Sequence, residues 1–272
     1  MNRAILEKIE AIPPLSKSVI EFEQIIHDET KSFLDYKKII EKDPVITADI
    51  LRNVNAPIYG FRREITSLEQ AISLFGLGTI RSFVLGSIAK QSFTFDLHPY
   101  RMSEYDFEQV SLMYSAVMLQ WVRKIHPSKL LLLGPAAFMI NIGKLILAQE
   151  LNEHHQSDAF QKLLAQGVEE HEAERELCGM STAEVSAEIF DHWGFELDLI
   201  HVIRYSDAPH TAKNTIKELS AYLKAVRDSV DYDGTISDMT TIKALYVAKS
   251  FNLDQKLLSE AIVQVASERT PA

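Results

Sequence analysis

The sequence predicts an all-α fold. Apolar residues recur at helical spacing through most of the chain, alternating strand patterns are nearly absent, and helix-start signatures recur at intervals. The organisation it predicts is one continuous helical array: an N-terminal helical subdomain over residues 1–97, a helical bundle over 98–207, and C-terminal helices over 208–272 packed on the body. No internal repeat, low-complexity tract or long linker interrupts it.

Asp43-Pro44 follows an amphipathic segment closing at Ile39 to Lys42. Asp43 can accept from the free N–H groups of the next helix, and Pro44 at its first position sacrifices no hydrogen bond. That helix carries Ile46, Ile50, Leu51 and Val54 on one face and stops before Pro57. Thr66 to Glu69 reads as a capping box for a helix with Leu68, Ala71, Ile72 and Phe75, stopped by Gly76. Gly78-Thr79 opens another with Ile80, Phe83, Val84 and Ile88. Ser103 caps the clearest helix, whose stripe runs from Phe107 through Tyr114 and Trp121 to Ile125. A buried segment follows around Ala136 to Leu147. Ser181 with Glu184 opens a helix carrying Val185, Ile189 and Trp193, and Leu197, Ile200 and Ile203 line the next. Residues 213–230, 238–251 and 254–268 read as three more helices, broken at Tyr232-Asp233-Gly234 and Phe251-Asn252.

Hydrophobic residues make up 46% of the 272 and charged ones 24%, which supports a sizeable core. A net charge of −10 opposes non-specific binding to nucleic acid, and the one small basic grouping, Arg62-Arg63 with Arg81, reads as a solvated face. The single cysteine, Cys178, excludes an internal disulfide and a cysteine-based zinc site, and reads as buried and inert. The charged N-terminus lacks a signal-peptide core. The apolar stretch Leu130 to Leu151 is broken by Gly134, Pro135, Asn141, Gly143 and Lys144, so it reads as a buried helix and not a membrane span. A cytoplasmic protein is expected.

Two segments carry a family resemblance. The Asp43-Pro44 helix ends in Asn55-Ala56-Pro57-Ile58-Tyr59-Gly60, and the capped helix from Ile65 ends in Leu74-Phe75-Gly76, preceded upstream by Ile12-Pro13-Pro14-Leu15. Over roughly residues 10–207 the chain resembles the HDOD family, bacterial all-α regulatory domains related to the HD phosphohydrolases. The resemblance implies a multi-helix bundle of HD-like type. From the residues alone, Asn53 and Asn55 close a helix end structurally.

A working HD hydrolase holds a divalent metal through histidines and an adjacent His-Asp pair, making bound water a nucleophile. By the resemblance, the first histidine position falls at Tyr114 and the His-Asp pair at Ile140-Asn141, fixed by Ile142-Gly143-Lys144. The third falls at Ser181-Thr182 and the last at Tyr205-Ser206. None of these is a good divalent-metal ligand. Other sites fare no better. His154-His155 point apart on a helix, and His171-Glu172 lacks its second histidine because Arg175 stands there. Gly76 and Gly78 lack the rest of a dinucleotide loop. His201, Asp207 and His210 could gather near the vestigial site.

The expectation is therefore a non-catalytic signal-transduction module with no cofactor and no metal, acting through protein partners or a small ligand. A remnant pocket lined by Tyr114, Asn141, Lys144, Thr182, Tyr205 and Ser206 would suit an anionic, nucleotide-like molecule. No nucleic-acid or membrane partner is expected, and a homodimer is open. The alternatives are a metal-dependent phosphohydrolase or phosphodiesterase acting on a nucleotide second messenger, and a dimerisation scaffold.

Overall fold

A computed structural model describes residues 2–269 apart from Phe95 and Tyr232, so one residue of the break expected at 232–234 lies outside the described residues. The described residues form α-helices joined by loops and short 3-10 turns, with no strand among them. Helices α1 (Arg3–Glu10), α2 (Lys17–Ile25), α3 (Phe33–Ile40), α4 (Pro44–Val54) and α5 (Leu68–Ser92) come first. Then follow α6 (Glu104–Val122), α7 (Leu130–Met139), α8 (Gly143–Glu153), α9 (Ser157–Ala165), α10 (Glu170–Cys178), α11 (Thr182–His192) and α12 (Leu197–Arg204). The chain closes with α13 (Asn214–Asp228), α14 (Asp238–Ser250) and α15 (Gln255–Arg269).

Local chemistry sets these boundaries. The Asp43 carboxylate accepts from the N–H groups of Val45 (3.0 Å) and Ile46 (3.1 Å), and Pro44 opens α4 as the sequence predicts. Ser103 and Asp106 form a reciprocal box at the start of α6, as do Ser181 and Glu184 at α11. At α5 the cap is one residue later than expected. Ser67, not Thr66, is the N-cap, and Gln70 reaches back to the Thr66 N–H at 3.1 Å, so Glu69 is left to pair with Lys37. Gly76 does interrupt the helix as expected: its backbone, at φ 75° and ψ 164°, is not helical and would strain a side chain, so Leu68–Ser92 is two helical segments that meet at a sharp kink.

α5 is the hub. It packs against α3 and α4 on one side and against α7 on another, and α7 in turn packs on α6. The α5–α7 approach is close: a Cβ at Gly78 would lie 2.3 Å from the Leu130 carbonyl oxygen, so only glycine fits. α1 lies on α8 and α11, while α15 returns to α6 and to the 3-10 turn Pro57–Tyr59. The buried apolar residues form one cluster running from Ile5 to Val265. Two apolar segments, Leu68–Ser92 and Pro127–Glu153, are long enough to cross a membrane by length and composition. Their most apolar windows are 78% and 89% buried inside the fold, which is how core helices behave.

Arg81 overturns its expected surface role. Its side chain is fully buried, and its guanidinium donates to Glu23 of α2, to Glu196 just before α12, and to the Leu131 carbonyl of α7 (3.1 Å). The contacts to Glu23 and Glu196 are each two-pronged, at 2.5–3.1 Å. Arg62 and Arg63 therefore have no basic neighbour in Arg81.

Removing the guanidinium leaves two carboxylates facing each other in a largely buried place. Arg81→Met should cost about 3–5 kcal/mol in urea unfolding, and Arg81→Lys should recover little of it, because an ammonium cannot fork to two carboxylates. A loss below about 1 kcal/mol for Arg81→Met would show the triad to be dispensable.

Candidate functional site

A cleft of about 720 Å³ opens between the Tyr114–Asn141–Lys144 group and helices α10, α13 and α14. Tyr114 comes from the buried stripe of α6, Asn141 from the 3-10 turn Ile140–Ile142, and Lys144 from the first turn of α8. Gly143 explains why this turn is so tightly held. A Cβ there would lie 2.4 Å from the Thr182 carbonyl oxygen, so α8 can press directly on the start of α11. The Gly143 N–H donates to Ser186 Oγ (2.9 Å), which donates to the Ile140 carbonyl (2.6 Å). Ile140 itself is fully buried.

The charged groups of the cleft neutralise one another. Lys144 Nζ, almost wholly buried, meets Glu170 at 2.7 Å and lies 4.7 Å from the centre of the Tyr100 ring. Arg227 of α13 meets Asp207 at 2.7 Å and donates to Ser206 Oγ (3.2 Å). Asp207 also receives Ser181 Oγ (2.6 Å) and Arg175 (3.0 Å), so both of its oxygens are engaged. Burial alone would raise the Asp207 pKa, but the Arg227 charge and the Ser181 hydrogen bond hold it below the ordinary aspartate value. Burial pushes the Tyr114 phenol upward, so it stays protonated.

Of the six residues expected to line a pocket, Tyr114, Asn141 and Lys144 do so. Thr182 does not: its N–H and hydroxyl are both spent on Glu174, at 2.6 Å each. Ser206 is fully buried behind Arg227 and donates to the Ile203 carbonyl. Tyr205 caps α12, with its ring 6.2 Å from that of His201, and is not part of the cleft lining. Asp207 and His210 do reach the cleft while His201 does not. Arg227, Glu170 and Tyr246 line it without having been expected. The only available signal for Arg227 is a cation at the end of the apolar spacing Ile216, Leu219, Leu223 and Val226 in the helix expected over 213–230. Cys178 is buried, which pushes its thiol up to about 12, with Glu174 and Glu150 adding to the shift.

These side chains do not fit a divalent cation of the HD kind. Among the described residues no group of three or more His, Cys, Asp or Glu stands close enough together to hold a metal. Two cations, Lys144 and Arg227, already border the place, and the nearest carboxylates are paired to them.

Glu174 stands behind Lys144. It accepts from Tyr100 Oη (2.8 Å) as well as from Thr182. Complete burial, reinforced by the charge of Glu170, raises its pKa to about 7 against the opposing Lys144 charge and Thr182 hydrogen bonds.

The family model described as HDOD domain matches residues 12–209. No curated protein matches the chain. Among solved structures, the chain is similar to a virulence factor from Campylobacter jejuni at 25% identity and TM-score 0.59, over 99% of this chain and 100% of that one. A protein named for signal transduction from Marinobacter aquaeolei is similar at 18% identity and TM-score 0.72, over 96% of this chain and 58% of that one. A protein named as a phosphohydrolase from Shewanella amazonensis is similar at 18% identity and TM-score 0.66, over 99% of each.

Glu174 gives the fold a pH dependence of definite sign. Its folded pKa lies above the ordinary glutamate value, so the folded chain holds this proton more tightly than the unfolded one. The associated stability is full below the ordinary glutamate range and is lost as pH rises through about 7. Asp207 has the opposite sign, but its contribution is lost only at pH values below the ordinary aspartate range. Wild type minus Glu174→Gln, measured by urea unfolding at several pH values from about 5 to 8, should therefore fall as pH rises. A flat difference would mean that Glu174 is ionised throughout.

Proposed function

Because this chain belongs to the HDOD domain family, we propose that it is a non-catalytic regulatory module of a signalling pathway that works through protein partners. The observation that carries this reading is the Arg227–Asp207 pair. Three of the four positions at which the HD pattern places metal ligands supply groups around it. Ser181 binds Asp207 and Ser206 binds Arg227, while Tyr114 lies close enough for the Arg227 charge to act on its phenol. A fixed guanidinium takes the electrostatic part that a bound cation plays elsewhere, holding Asp207 and the ends of α11 and α12 together.

A guanidinium cannot supply what hydrolysis requires. It lowers no water pKa toward neutrality and offers no open coordination position. Asn141 cannot act as the acid or base that an aspartate in its place could. The self-paired charges also weigh against tight capture of a small anion, since a ligand must first pull Lys144 from Glu170 or Arg227 from Asp207. What remains is a rigid helical body suited to presenting surfaces. The names of the signal-transduction and phosphohydrolase neighbours point in different directions, and the chemistry of this cleft favours the former.

Elemental analysis of the purified chain tests the reading. It should contain no stoichiometric manganese, iron or zinc, and should leave cyclic dinucleotides and nucleoside polyphosphates intact when those metals are supplied. Stoichiometric metal, or metal-dependent turnover abolished by Asp207→Asn, would overturn it.

A further inference from the structure

The loop after the Pro57–Tyr59 turn carries Phe61, Arg62 and Arg63 past the first turns of α5. Together with Phe33 at the start of α3 and Leu74 of α5, these residues line an open groove. Phe33, Phe61 and Leu74 are 40%, 45% and 43% exposed, so each is half covered by the fold and half offered to whatever lies in the groove. Scattered surface apolar residues are ordinary, but three sharing one groove are not. Phe61 also packs on the fold, its ring 5.3 Å from that of the buried Phe75.

The charges around this groove are unbalanced. Glu69 is paired with Lys37, which removes it from the account. Arg62 and Arg63 make no hydrogen bond or ion pair among the described residues. Arg123 approaches the same edge, its guanidinium 3.5 Å from the Leu74 carbonyl, and has no acidic partner among the described residues. Glu64 is the one unpaired acid in the lining, and the Glu268 carboxylate lies against Gly60 beside it, so the three arginines outnumber the unpaired acids by one. Two unpaired guanidiniums, Arg62 and Arg63, and a third, Arg123, bonded only to a backbone carbonyl, therefore flank an apolar groove on a chain whose net charge is −10. Most acids of this protein lie elsewhere, so the local excess of positive charge selects a partner by sign. Arginine beside aromatic and aliphatic surface is also the composition of interface centres.

We propose that this groove is a docking site for an acidic amphipathic helix of a partner protein, which lays its apolar face on Phe33, Phe61 and Leu74 and its carboxylates on Arg62, Arg63 and Arg123. The proposal rests on the protein-partner reading and gives that partner a chemistry. A helix laid between α3 and α5 places apolar residues at spacings of three and four over the groove, with acids on either flank. Nucleic acid fits less well, because Glu64 lies in the groove and its floor is apolar.

The probe is a fluorescein-labelled amphipathic peptide of about 18 residues, long enough for five helical turns, with leucines on one face and glutamates flanking them. Its controls are the same peptide with lysine for every glutamate, a scrambled sequence and a single-stranded oligonucleotide. Fluorescence anisotropy with the full chain should show binding of the acidic peptide alone, weakening with salt. The double variant Arg62→Glu/Arg63→Glu should weaken it about tenfold or more. Phe61→Ser should weaken it too, while the exposed arginine variant keeps the test meaningful if the serine variant melts early. Equal binding by wild type and the arginine variant, no binding at all, or an oligonucleotide bound with the same arginine dependence would overturn the proposal. Self-association abolished by the same arginine variant would also overturn it, since the occupant would then be a second copy. Failure of the peptide with a metal-free chain rejects the groove alone, whereas stoichiometric metal in the same preparation rejects the wider reading.

Discussion

Two arginines, Arg81 fully buried and Arg227 partly so, grip α12 from opposite ends, and the arrangement of this molecule depends on them. Arg81 holds Glu196 just before the helix, and Arg227 holds Asp207 just beyond it. Through Arg81 the helix is tied to α2, to α5 and to the backbone of α7. Through Arg227 it is tied to α13 and, by way of Ser181 and Arg175, to α10 and α11. Charged groups this deeply placed are costly unless every donor finds an acceptor. Here the geometry is specific: forked contacts at one end, a carboxylate with both oxygens engaged at the other. Such pairs fix how helices are arranged more than they add to net stability, and a bundle of sliding apolar surfaces needs fixing of that kind.

On the proposed reading, the same logic explains how this cleft holds its shape without a bound metal. A metal joins several elements through one centre of positive charge. In this chain Arg227 supplies the charge, Lys144 supplies a second against Glu170, and short polar side chains at Ser181 and Ser206 complete the contacts. Tyr100, Glu174 and Thr182 form a further buried network behind Lys144. Polar interiors of this sort are tolerable only when each member is bonded, and nearly all are. Asn141 Nδ2 is among the few buried polar side-chain atoms of the described residues without a hydrogen-bond partner.

Much of the fold was legible because it rests on local rules. Asp43-Pro44, Ser103 and Ser181 announce helix starts through backbone N–H groups within three residues of themselves, and the structure obeys them. The cap of α5 missed by one residue, because Thr66 and Ser67 offer the same hydroxyl and only the path of the loop chooses between them. The site was half legible. Asn141 and Lys144 could be placed through the fixed register at Ile142-Gly143-Lys144, and Tyr114 through its position in the long apolar stripe of α6. Thr182, Tyr205 and Ser206 come from the start of α11 and the end of α12 but turn to other partners, and no local pattern records which way a side chain faces after a helix cap. Arg227 and Arg81 were the hardest. An arginine is buried or exposed according to acids that lie 20, 58 and 115 residues away in the chain, and spacing alone does not reveal them.

The central claim is that internal ion pairs have taken over the role of a metal in this cleft. Thermal unfolding in a chelator and in about 1 mM manganese tests it most directly, because any ligand that prefers the folded chain raises its midpoint in proportion to the logarithm of its excess over Kd. The account predicts coincident curves for the wild-type chain. A midpoint several degrees higher in manganese, abolished by Asp207→Asn, would contradict it.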